Sequence, residues 1–123
     1  MKKDEIKDFM IVETGYDDEK FLVLNGVLVN NELEGYALDD FDDELVNKEF
    51  RPASISKVYE SVKLTLPFEL DIENILEKQK PNVLWKRKPM EISLKYLESL
   101  EEEIREQFLE ELDNFIYPIM FVE

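Results

Sequence analysis

The chain has 123 residues, of which 44% are hydrophobic, 11% aromatic and 37% charged, a composition that fits one domain with one real core and excludes a disordered chain. It holds no histidine and no cysteine, which removes disulfides, thiolate metal sites and cysteine nucleophiles and leaves carboxylates, Lys, Tyr and Ser for any chemistry. The net charge of −15 is uneven: 14 acids against 4 bases over 1–44, 7 against 10 over 45–97, and 9 against 1 over 98–123.

In chain order, Met1-Lys2-Lys3 leads into Asp4-Glu5 and not into an apolar segment. No run of roughly 18 apolar residues follows, so a soluble, cytoplasmic protein is expected. FMIVE (9–13) reads as a strand, followed by the acidic turn TGYDDE (14–19). FLVLNGVLV (21–29) sets Asn25-Gly26 between two β-rich runs, the signature of a hairpin whose two turn residues both take positive φ.

YALDDFDDEL (36–45) then brings five acids, Asp39, Asp40, Asp42, Asp43 and Glu44, into ten residues. A calcium loop counted from Asp40 fails, because Leu45 stands where glycine is needed and Arg51 where the bidentate Glu belongs. Leu38, Phe41 and Leu45 are spaced as one helical turn packed on a sheet, with the acids either in water or forming a recognition surface. SISKVYESV (54–62) alternates as a half-buried strand, and NVLWKRK (82–88), between Pro81 and Pro89, is another. Lys86-Arg87-Lys88 after Trp85 admits two readings, a stacking and phosphate contact or the charged exit of an edge strand. Between these strands, ELDIENILEKQK (69–80) is expected to be a helix capped by Asp71, with Ile72, Ile75 and Leu76 on one face.

A longer helix is expected over 93–114, with Ser93 as its N-cap and Leu94, Leu97, Ile104, Phe108, Leu112 and Phe115 as its apolar stripe. Glu98, Glu102, Glu106 and Glu110 form an i, i+4 row of like charge, with Glu101 to Arg105 the one favourable pair. YPIMFVE (117–123) closes the chain as a strand. The glycines Gly15, Gly26 and Gly35 are isolated, so neither a phosphate loop nor a dinucleotide turn exists. The expected fold is α+β in one domain, 1–123: a β-rich core over 9–88, drawn as a small antiparallel sheet or a partly open barrel, with the helix of 93–114 packed across it and a terminal strand.

Taken together, FMIVE, KFLVLNGVLV, YALDDFDDEL, SISKVYE, VLWKRK and YPIMFVE resemble small uncharacterised proteins encoded by phages and prophages of Gram-positive bacteria. The resemblance implies a β-rich, SH3-like domain and a phage accessory role, without a catalytic motif. The chain departs from that pattern in the length and acidity of 93–114, which marks this segment as its own. Acidity of this kind repels nucleic acid and membranes and speeds association with basic partners. Duplex DNA carries one charge per ~1.7 Å, a field that a carboxylate row approximates. The expected function is therefore binding, with no catalysis, metal or cofactor. Asp39, Asp40, Asp42, Asp43, Glu44, Glu98, Glu102, Glu106 and Glu110 would occupy the basic, nucleic-acid-binding site of a host protein, for instance a defence effector such as a CRISPR nuclease. The alternative is a small structural or assembly accessory that associates through an open sheet edge.

Overall fold

The structure, a computed structural model, describes residues 1–16, 18–63 and 72–123, the side chain of Asp113 excepted. Asp17 and the start of the expected helix, including its proposed cap Asp71, lie outside the described residues.

The Asn25-Gly26 turn joins β2 (Lys20–Leu24) to β3 (Val27–Val29). Both of its residues are left-handed, with φ of 50° and 77°, which matches the right-handed twist of the flanking strands. β1 (Ile11–Thr14) pairs antiparallel with β2 on one side and with β5 (Ile55–Tyr59) on the other, placing Val12 opposite both Phe21 and Val58. β4 (Gly35–Ala37) adds to β3, and β6 (Val83–Lys86) adds to β5. The resulting six-stranded antiparallel sheet has the order β4-β3-β2-β1-β5-β6. It is open, with β4 and β6 as its outermost strands among the described residues, so of the two forms expected the sheet and not the barrel is present.

Period-two alternation divides the core in two. Val12, Phe21, Val23, Leu28, Ile55 and Val58 pack on one face with Ile6, Phe41 and Leu45. Ile11 and Leu22 face the other way, onto Val62 and onto Ile72, Ile75 and Leu76 of α1 (Ile72–Lys78). Both faces of β1 are thereby covered, and all four of its residues are buried. Each such aliphatic or aromatic side chain contributes ~1.5–3 kcal/mol.

The segment expected as one long helix is two helices. β7 (Met90–Ser93) leads into α2 (Leu94–Ser99), and α3 (Glu102–Glu110) follows, ending in a 3-10 turn, Glu111–Asn114. Ser93 caps α2 as expected, its Oγ accepting from the Tyr96 N–H at 3.3 Å. Leu100 and Glu101 are extended, with ψ of 148° and 151°. Arg105 closes the break. Its Nε donates to the Leu97 carbonyl at 2.9 Å, and its Nη2 donates to those of Glu98 at 3.2 Å and Leu100 at 3.1 Å. The break removes helical N–H partners from these carbonyls, of which that of Leu97 also accepts from the Leu100 N–H at 3.2 Å. The guanidinium thus serves as a C-cap for α2 in place of the expected ion pair with Glu101.

Nor does this segment lie across the sheet. α3 has no fully buried residue; Ile104 is exposed, and Phe108 packs on Tyr96 and Phe115. Contact with the sheet is made at the ends of strands. Tyr117 stacks on Tyr16 at 5.5 Å, and the 3-10 turn Arg51–Ala53 meets Glu111–Asn114. The closing strand, β8 (Ile119–Val122), pairs parallel with β7, Met90 opposite Ile119 and Ser93 opposite Val122.

Candidate functional site

The first acidic group sits on the connection from β4 to β5. Leu38–Asp40 forms a 3-10 turn, and Phe41, fully buried, bridges to Asn47. The expected helical turn does not continue to Leu45. Asp42 prevents it: its Oδ1 accepts from the N–H groups of Glu44 at 2.8 Å and Val46 at 3.0 Å, a local bond that competes with helix. Leu45 is consequently left-handed at φ 66°, yet wholly buried. The apolar residues pack as expected, by a different backbone route.

That route is pinned from outside. The Lys3 N–H donates to the Asp43 carbonyl at 3.2 Å and Lys3 Nζ donates to that of Phe41 at 3.1 Å. Arg87 Nη2 donates to the Glu44 carbonyl at 2.8 Å. Backbone polar atoms are used in these bonds, while the carboxylates of Asp39, Asp43 and Glu44 remain exposed and those of Asp40 and Asp42 are half-buried. Among the described residues no group of three or more His, Cys, Asp or Glu is arranged to hold a metal ion.

The second acidic group is divided by the helix break. Glu102, Glu106 and Glu110 keep the i, i+4 spacing along exposed α3, whereas Glu98 stands on α2. The row of four expected from the sequence is a row of three plus one residue on a separately oriented helix.

Two features escaped the sequence reading. Glu13, though buried, lies opposite Lys57 in the β1/β5 ladder; Lys57 Nζ is 3.4 Å from its Oε2, and the Tyr59 hydroxyl donates to the same oxygen at 3.4 Å. The neighbouring Glu13 carboxylate raises the Lys57 pKa above its usual value. Burial, then the same carboxylate, raises that of Tyr59. The alternation of SISKVYE placed Lys57 and Tyr59 on one face; the register with Glu13 had no local signal. The other feature is Arg87, whose Nε donates to the Ile55 carbonyl at 3.0 Å while its guanidinium lies 5.1 Å from the Trp85 ring centre. Burial lowers its pKa, with Asp42 and Glu44 opposing that shift. Of the two readings of Lys86-Arg87-Lys88, neither anticipated a cation fastened to backbone.

Comparison with protein-family models, curated proteins and solved structures finds no match to this chain.

Proposed function

We propose that this chain is a phage-type acidic binding protein that occupies a basic, nucleic-acid-binding site on a host protein, acting by contact and not by catalysis. The observation that carries the reading is how little of the acid is neutralised internally. Among the described residues Glu13 is the one carboxylate in a salt bridge. The acids of 39–44 and of α3 stand on backbone held by hydrogen bonds, so little ordering entropy would oppose a partner that supplies the missing cations. The sharpest form of the proposal is inhibition of a defence nuclease by imitation of its DNA, as an anti-CRISPR protein acting in the host cytoplasm.

Charge reversal of Glu102, Glu106 and Glu110 to Lys tests it, because these side chains are exposed and α3 buries none of its residues. Against a panel of DNA-binding nucleases, the wild-type chain is expected to displace DNA from one member, with affinity falling steeply as salt rises. The folded triple variant is expected to lose that displacement. Retained potency in the variant would refute a role for α3.

A second reading, assembly through a sheet edge, is supported by Met90, Met120 and Phe121, exposed on the two-stranded β7/β8 pair. Such a pair is marginal by itself in water. Association by this route would persist at high salt and be lost in Met120→Lys/Phe121→Lys, as read by analytical ultracentrifugation.

A further inference from the structure

A cleft of about 520 Å3 opens where the end of β6 meets the segment after α3, and its walls include Arg51, Arg87 and Lys88 together with Met90, Phe115 and Ile116. The chain has twice as many acids as bases, yet among the described side chains three cations line this cleft and no carboxylate does. Among the described residues none of the three is in a salt bridge. Arg87 is held by two carbonyls, which orient its guanidinium without neutralising it. Asp42 and Glu44 favour its charged form from the neighbouring loop, but neither is paired with it. Keeping a half-buried, unneutralised guanidinium is costly for a fold, and an anion received from solution would offset that cost.

We propose that this cleft binds the phosphate of a phosphate monoester whose other end is aromatic or apolar, a mononucleotide being the type. Guanidinium forks suit phosphate oxygens because two parallel N–H donors meet two acceptors. Arg87 is already oriented, so less freedom is lost on binding. Met90, Phe115 and Ile116 supply the apolar wall against which a base can lie, and the volume falls within the ~300–1,000 Å3 of small-molecule sites. Arg51 and Lys88 lie outside the acidic surface, so this site does not depend on the partner-binding proposal.

The test is calorimetric titration of the full chain with AMP, with adenosine and with inorganic phosphate, at one fixed ionic strength. AMP is expected to bind saturably, inorganic phosphate to compete, and adenosine to bind about tenfold or more weakly, the loss of one charge-assisted contact. Arg51 and Lys88 donate no hydrogen bond within the described fold, so Arg51→Gln/Lys88→Gln removes two charges from the cleft without touching Arg87. It is expected to weaken AMP binding about tenfold or more. Lys78→Gln/Lys80→Gln removes two charges at the end of α1 and is expected to leave the affinity within about twofold. Any of three results overturns the proposal: equal affinity for adenosine and AMP, equal loss in the two double variants, or no saturable binding of AMP or phosphate at millimolar concentration.

Discussion

Replacing Arg87 with Met keeps an unbranched chain over the Trp85 ring and removes every donor. Two bonds vanish, to the carbonyls of Ile55 and Glu44. Hydrogen bonds that involve a charged group contribute ~1.5–3 kcal/mol each; the Glu44 bond is exposed and belongs at the low end. Loss of the cation over the indole adds ~0.5–1 kcal/mol, and relief of the guanidinium's desolvation subtracts from the total. The net expectation is a loss of ~2–4 kcal/mol. At this chain length each kcal/mol lowers Tm by ~3–4 °C, so the melting temperature should fall by ~6–16 °C. Arg87→Lys should recover less than half of that, because a single ammonium cannot span both carbonyls. Thermal unfolding followed by far-UV circular dichroism, with Trp85 fluorescence as a second probe, gives the measurement. An Arg87→Met variant that melts within ~2 °C of wild type would refute the claim that this side chain ties the 42–46 loop to β5 and β6.

Gly26→Val should destabilise by ~1 kcal/mol or more, since a side chain there must adopt φ 77°, and chemical denaturation reads the change. Gly15→Ala would bring a Cβ to 2.5 Å from the Tyr117 backbone; the β7/β8 amides should lose hydrogen-exchange protection while those of β1 and β2 keep theirs. Alkaline stability should follow Lys57 and Tyr59. Both folded pKa values are raised, so their contribution is complete below the usual values of 10.0 for Tyr and 10.5 for Lys and is lost as pH rises through the raised ones. Lys57→Met/Tyr59→Phe should flatten the decline of urea midpoint above about pH 10.

Features fixed by neighbours in the chain were legible from the residues. Asn25-Gly26 closes its hairpin because few other dipeptides accept two left-handed residues, and Ser93 caps because its oxygen reaches an N–H three positions on. Short strands were not legible: β4 is GYA and β7 is MEIS, which owe their extended form to β3 and β8. The helix break was equally hidden, since Glu101 to Arg105 has the spacing of a helical ion pair, whereas the guanidinium folds back onto the carbonyls of Leu97, Glu98 and Leu100. For the candidate site, the acids were plain in the sequence, but their backbone supports were remote. Arg87 meets carbonyls 32 and 43 residues earlier, and Lys3 reaches a loop 38 residues later. No periodicity records such contacts.

The sheet order also has a kinetic meaning. From β1 to β4 each strand pairs with the next along the chain, whereas β1 and β5 meet only across the connection 15–54. Closing a loop of ~40 residues in a featureless chain costs roughly 2 kcal/mol more than closing one of ~5. The meander of β2, β3 and β4 lies within that connection; once formed, it shortens the path that must be closed. Folding should then begin at the Asn25-Gly26 turn and cross its barrier when β5 docks on β1. Gly26→Val would slow folding, and Val58→Ala would slow it too. Loss of the Arg87 contacts, which clasp β6 and the 42–46 loop afterwards, would instead hasten unfolding.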